Sequence, residues 1–256
     1  MVDLAQDFCY YLRDMSGHSK WHNIQKKKGA ADAKRGSLFT KLAKAITIAA
    51  KSGGGGDPEF NFQLRVATDA AKAANMPKDN IDRAVKRGTG EGDDGGQIEE
   101  VVYEGFGPGG VALLIQCLTD NRNRSNAEVR TVMNKNGGNP GEQGSVMWMF
   151  QHKGVVTIAD PSTILDRDQF ELAVIDAGAE DLEESEGVVQ ILSAVSDLKK
   201  VMDAVEAFGI KPDGVDLEYR AKDEIPLIAD DHNKLEKLVE LLEELDDVDT
   251  VFTNEA

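Results

Sequence analysis

Cysteine is nearly absent from this chain. Its two residues, Cys9 and Cys117, cannot build a disulfide framework or a Cys-rich zinc site. A reducing, cytoplasmic compartment is therefore expected. Long apolar runs are missing as well. The stretch from Val111 to Ile115 is typical, far short of the roughly 20 residues that cross a bilayer, so no membrane association is expected. Glycine-rich turns occur at residues 53–56 and 105–110, but neither carries the Gly-Lys-Ser/Thr of a nucleotide-binding loop. Histidine is scarce, with four residues. His152 and His232 sit in plain settings, and no Ser/His/Asp arrangement is legible. His18 and His22 have a helical zinc spacing, yet the sequence HSKWH offers no acidic base and Lys20 opposes a cation. A structural or phosphate-contacting role is expected for both. No catalytic residue, metal or cofactor is expected.

What is present is a chain of 256 residues, 41% hydrophobic and 29% charged, enough for two or three domains with true cores. The net charge of −17 conceals a division. Residues 1–90 hold 16 Lys+Arg against 9 Asp+Glu, and residues 91–256 hold 13 against 37. A basic head thus precedes an acidic body. Because the Debye length is about 8 Å in physiological salt, the head can bind an anion that the body repels.

Within the head, residues 1–14 (Asp3, Asp7 and Asp14 against Arg13 alone) resemble neither a secretory signal nor a transit peptide. They read as an extension, with Met15 as a second candidate start. Lys20, Lys26, Lys27, Lys28, Lys34 and Arg35 then fall within sixteen residues, with Asp32 the one acid among them. Such a run attracts phosphates and releases counterions, and Trp21 offers a stacking face for an unpaired base. A charge run alone also fits a solvated arm. Nucleic acid is favoured because the basic character continues along a helix that Ser37 can cap. There Leu38, Leu42, Ala45 and Ala49 share one face, with Phe39 and Ile46 beside them, and Lys41, Lys44 and Lys51 fall within about 80° of one another on another face. Residues 62–74 and a third helix from Pro77 to about Arg87 complete a small helical domain. Arg83, Lys86 and Arg87 share a face of the third helix.

After an acidic glycine linker at residues 88–96, the period changes. Strands are expected at 99–103, 111–118 and 145–150, with a helix at 123–136. Residues 154–219 follow a βαββαβ order, the split βαβ of ferredoxin-like folds. A helix at 231–245 and a strand at 249–252 are left over. They and the earlier incomplete set complete each other if the βαββαβ unit is inserted between them. The expected fold class is α+β: an N-terminal three-helix domain followed by two ferredoxin-like α/β sandwich domains, one inserted in the other. The expected boundaries are 1–14 for the extension and 15–90 for the basic helical domain. A discontinuous α/β domain takes 97–152 plus 223–256, and the insert takes 153–222. The DNRNR segment at 120–124 opens a helix, and helix N-termini attract phosphates. Arg122, Arg124 and Arg130 there read either as secondary phosphate contacts or as a cap with surface ion pairs. The acids at 180–186 read as a solvated or protein-facing surface.

Several of these stretches together resemble one family. They are GHSKWHNIQKKKGAADAKRGSLFTKLAKAITIAAKSGG (17–54), AANMPKDNIDRAVKRGTG (73–90), YEGFGPGGVALLI (103–115), TDNRNRSNAEVR (119–130) and GSVMWMF (144–150). The chain from about Met15 onward is similar to the YebC/PmpR family. Residues 1–14 depart from its pattern. The resemblance implies a helical N-terminal domain and two α/β domains, one inserted in the other. It also implies a cytoplasmic protein of a class described as probable DNA-binding transcriptional regulators, with a mitochondrial translational activator among its relatives and a link to ribosomes stalled on difficult sequences. It carries over no catalytic residues. The expected function is a regulator of gene expression that binds nucleic acid, DNA in transcription. An RNA-binding translation factor on the ribosome is the alternative, and a protein-interaction scaffold or an uncharacterised hydrolase would be a different class. The expected partners are nucleic acid on the head and a protein on the acidic body.

Overall fold

The computed structural model describes residues 32–52, 55–91, 97–185 and 187–256, with side chains from residue 36 onward. The expectations for residues 1–14, for Lys20, Trp21, Lys26, Lys27 and Lys28, and for His18 and His22 lie outside the described residues.

Among the described residues, three helices come first: α1 (Asp32–Ser52), α2 (Phe62–Ala73) and α3 (Lys78–Thr89). Their shared core is built from Ile46, Ala49, Ala50, Leu64, Ala71, Met76, Ile81 and Ala84. The small residues let the helices approach closely. Gly88, inside α3, is the tightest point: a Cβ there would lie 2.4 Å from the Thr47 carbonyl oxygen. Asn61 joins the three pieces. Its Oδ1 caps α2 at Leu64 N, while its Nδ2 donates to the carbonyls of Ala49 and Gly55. Two local expectations shift. Helix α1 begins at Asp32, so Ser37 lies inside it, where its hydroxyl donates to Asp246 rather than capping. The buried stripe of α1 keeps Ala49 and Ile46 from the expected set, adds Ala50, and has Phe39 and Leu42 packed against it, so it lies toward the Phe39–Ile46 edge of the expected face.

Strands β1 (Glu99–Phe106) and β2 (Ala112–Thr119) form a hairpin around a turn in which Gly109 and Gly110 have φ of 72° and 81°, a region that excludes most side chains. Helix α4 (Arg122–Lys135) and the short β3 (Asn139–Pro140) follow. The chain then leaves for a second unit: β4 (Phe150–Ile158), α5 (Arg167–Asp176), β5 (Ala179–Ser185), β6 (Val188–Ala194), α6 (Leu198–Ala207) and β7 (Gly214–Ala221). It returns with α7 (Ala229–Glu243) and β8 (Val248–Thr253). The segment read as a strand at 145–150 is instead a turn with a 3-10 helix at Met147–Met149, and β4 starts at Phe150.

Two four-stranded antiparallel sheets result, ordered β3-β1-β2-β8 and β5-β6-β4-β7. The last strand pairs with β2 (Leu114 opposite Phe252), so the second unit is inserted in the first. Strand β2 is buried on both faces, which explains why its sequence ALLIQCLT does not alternate. Leu113, Ile115 and Cys117 meet Val129 and Met133 of α4 and Leu235, Leu238 and Leu242 of α7. Ala112 and Leu114 meet Val146, Phe150 and Phe252, with Tyr219 and Ala221 of the inserted sheet packed beside them. The insert has its own core around Val156, Ile158, Phe170, Val174, Ile191 and Val205, and Phe62 of α2 packs against it.

Candidate nucleic-acid interface

The basic face of α1 is where sequence and structure part. Lys41 and Lys44, three residues apart and so on one face, both turn toward the acidic body. Lys41 Nζ donates to the carbonyl of Glu243, the last residue of α7. Lys44 Nζ donates to the Asp246 carbonyl at 2.9 Å and to the Asp247 carboxylate. The C-terminal end of a helix carries partial negative charge, so it suits two ammonium groups. Asp247 is the hub. Its side chain is 4% exposed and also accepts from Thr119 Oγ1 at 3.0 Å and from Arg124 Nη2 at 2.6 Å. Burial pushes its carboxyl pKa up, but the hydrogen bonds from Lys44 and Arg124 outweigh burial and hold it below the ordinary range. The same bond raises the Arg124 pKa. Lys41 and Lys44, expected on a nucleic-acid face, thus join head to body. Lys51 lies further along, exposed, with Nζ 3.4 Å from the Ile98 carbonyl.

Helix α3 presents Arg83, Lys86 and Arg87 on its exposed side. Arg83 reaches back to the Asp79 carbonyl at 3.1 Å and to Asn80. Lys86 has no ion-pair partner among the described residues. Beside α3 runs a groove of about 730 Å³, lined by Met76 and Val85 together with Lys72, Lys78, Lys86 and Asp82. Lys34 and Arg35 fall in the first turn of α1, and their side chains lie outside the described residues.

The arginines of the body are all engaged within the chain. Arg122 forks onto Glu99. Arg124 joins Asp120 and Asp247. Arg130 reaches Asn126 at 3.1 Å and Glu142 at 3.4 Å. Asn121 caps α4 by accepting from Arg124 N. Of the two readings of DNRNR, the cap with ion pairs is the arrangement present.

Two acids that sequence reasoning missed organise the body. One is Asp247. The other is Glu104, 4% exposed on β1, whose carboxylate accepts the backbone N–H groups of Gly144, Val146 and Met147 at 2.6, 2.8 and 2.8 Å. Burial raises its pKa, and the three N–H donors together bring it below the usual carboxylate range. Neither stood out, because Asp247 sits in an acidic run and Glu104 in a strand beside Gly105. Among the described residues, no group of His, Cys, Asp or Glu is arranged to hold a metal ion, and no helix is long and apolar enough to cross a membrane.

These features define a class: a basic helical head latched by lysines onto an acidic body made of one α/β sandwich inserted in another. Similarity to known proteins gives the class its family. Residues 19–91 match the model of the TACO1/YebC protein N-terminal domain, and residues 98–255 match that of the TACO1/YebC second and third domain. The chain belongs to the TACO1/YebC family. It is 50% identical to a "Probable transcriptional regulatory protein" of Roseiflexus castenholzii, over 94% of each chain. It is 48% identical to one from Bacillus licheniformis, over 94% of this chain and 99% of that one. Among solved structures it resembles a conserved hypothetical protein of Aquifex aeolicus, at 40% identity with a TM-score of 0.79 over 90% of this chain and 93% of that one. The names carried by these relatives describe a family of regulators.

Proposed function

We propose that this chain is a nucleic-acid-binding regulator of gene expression that acts on transcription in the cytoplasm. Its head grips phosphates through Lys20, Lys26, Lys27, Lys28, Lys34 and Arg35, continued by Lys51 and by Arg83, Lys86 and Arg87 of α3. Trp21 is the stacking group. The observation that carries this reading is the segregation of charge. Residues 1–90 hold 16 Lys+Arg against 9 Asp+Glu, and the rest of the chain 13 against 37. A field of that kind admits a polyanion at one end only. Arg122, Arg124 and Arg130 pair with carboxylates of their own chain. The relatives' printed names support transcription as the process. No chemistry is assigned to the body, which orients the head and recruits protein. In-cell crosslinking of the full chain, followed by sequencing of the bound nucleic acid, tests the proposal. Enrichment of chromosomal DNA is expected. Enrichment of ribosomal RNA would move the function to translation, and recovery of neither would end the nucleic-acid reading.

A further inference from the structure

The head has a core of its own. Every residue of its hydrophobic cluster, from Phe39 to Val85, belongs to α1, α2, α3 or the turns between them. Toward α7 and β8, no hydrophobic cluster of the described residues ties α1 down. The contacts there are polar. Ser37 Oγ donates to Asp246 Oδ1 at 3.0 Å, and Lys41 donates to the Glu243 carbonyl. Lys44 donates to the Asp246 carbonyl at 2.9 Å and to the Asp247 carboxylate. Phe62 of α2 supplies an apolar tie to the insert, beside Arg65, which lies 3.8 Å from Met202 Sδ. One side of the head is therefore held to the body by charge and hydrogen bonds.

The body's side of this junction has the chemistry of a phosphate. It offers the Glu243 and Asp246 carbonyls at the end of α7, the negative end of the helix dipole, and one carboxylate. A nucleic-acid backbone offers lysine the same sign of charge and the same kind of acceptor oxygen. The body also stays satisfied when Lys44 leaves. Asp247 keeps Arg124 at 2.6 Å and Thr119 at 3.0 Å, both from the body, so withdrawal of the head strands no carboxylate in the interior. Lys41 and Lys44 pass from one set of anionic oxygens to another. We infer, resting on the reading of the head as a phosphate-binding unit, that the α7–Asp247 corner is an autoinhibitory contact. It occupies Lys41 and Lys44 as an internal stand-in for phosphate, and a polyanion gathered by the rest of the head displaces it and releases the head. Coupling of this kind is reciprocal: whatever loosens the junction tightens nucleic-acid binding by the same factor.

The test titrates the full chain with duplex DNA by fluorescence anisotropy across a salt series. Asp247→Asn loosens the junction and should bind about ten-fold more tightly than wild type, within the usual range for coupled sites, with the slope of log K against log salt unchanged. A second chain locks the junction instead. It carries Ser37→Cys and Asp246→Cys in a Cys9→Ser background, and a short bismaleimide bridges the two thiols while the buried Cys117 stays unreacted. Bridging should weaken duplex binding and shrink the slope by about 2, near 0.9 for each of Lys41 and Lys44 kept from phosphate. The unbridged chain should show neither effect. Nitroxides at Asp79→Cys on the head and Lys237→Cys on the body, both exposed positions, should move apart in a Cys9→Ser chain when duplex saturates it. A bridge that leaves affinity and slope untouched, a nitroxide distance that duplex does not change, or a folded Asp247→Asn chain that binds no tighter would each overturn the inference while leaving the phosphate-binding reading in place. Absence of duplex binding by wild type at low salt would overturn both.

Discussion

Replacing Asp247 with asparagine probes the junction on which the placement of the head depends. The carboxylate accepts from Lys44, Arg124 and Thr119 at a position 4% exposed. An asparagine keeps one oxygen and turns its NH₂ toward groups that are themselves donors. Removing one partner of a buried ion pair costs about 3–5 kcal/mol, because the other charge stays behind unpaired. Here the low end applies. Arg124 is 44% exposed and keeps Asp120, and Lys44, 14% exposed, keeps the Asp246 carbonyl. A loss of about 3 kcal/mol is expected, equivalent to a fall of about 6–12 °C in Tm for a chain of this size. The pH dependence fixes the cause. The folded-state pKa of Asp247 is lowered, so its contribution is complete above the unfolded carboxyl pKa of about 3.9 and disappears as pH falls through the lower folded value. The gap between wild type and Asp247→Asn should therefore be full at pH 7 and should close in strong acid. Thermal unfolding followed by circular dichroism at both pH values measures it, and a double-mutant cycle with Lys44→Met assigns the coupling. A Tm within about 1 °C of wild type at pH 7, on the same scale, would refute the reasoning, as would a gap that persists undiminished in acid.

Three further outcomes are expected. Glu104→Ala strands three backbone N–H groups and should cost about 3 kcal/mol or more in urea unfolding, while Glu104→Gln keeps one acceptor oxygen and should cost less. Cys117, whose thiol pKa burial above all, with Asp247 and Asp249, raises to about 12, should resist iodoacetamide at pH 8 in a Cys9→Ser chain and react only as fast as the chain unfolds. Gly88→Ala forces a Cβ to within 2.4 Å of the Thr47 carbonyl oxygen. It should lower stability by about 1–3 kcal/mol despite alanine's better helix propensity, and a neutral or raised Tm would contradict the close approach of α1 and α3.

The insertion of one sandwich in the other was legible because the leftover helix and strand near the end of the chain cannot bury their apolar faces alone. Their partners, Val111 to Cys117, form a near-continuous apolar run that needs cover on both sides. The apolar face through Leu38, Leu42, Ala45 and Ala49 and the helix start at Pro77 revealed the helical head. What escaped was long-range. Lys41 and Lys44 read as a nucleic-acid face because the acceptors that hold them stand about two hundred residues away, among them the backbone carbonyls of Glu243 and Asp246, which have no sequence signature. The segment at 145–150 read as a strand because MWMF has strand-like composition. In the fold, Glu104 accepts from the N–H groups of Gly144, Val146 and Met147, and Gly144 takes a left-handed φ of 85°. Arg122, Arg124 and Arg130 were ambiguous in sequence for a related reason: a phosphate and a carboxylate attract the same guanidinium.

If the head neutralises phosphates, the nucleic-acid affinity of the full chain must fall steeply with salt. Duplex DNA binding would be measured by fluorescence anisotropy across a series of salt concentrations for wild type and for Lys26→Ala, Lys27→Ala, Lys28→Ala combined. The triple variant should bind more weakly on every sequence, because phosphate contacts carry no base information. The slope of log K against log salt should shrink by about 3, near 0.9 for each phosphate no longer neutralised. A single-stranded target would shrink it by about 2, near 0.7 per phosphate. An unchanged affinity and slope, with the fold intact, would remove these lysines from the interface and contradict the proposed function of the head.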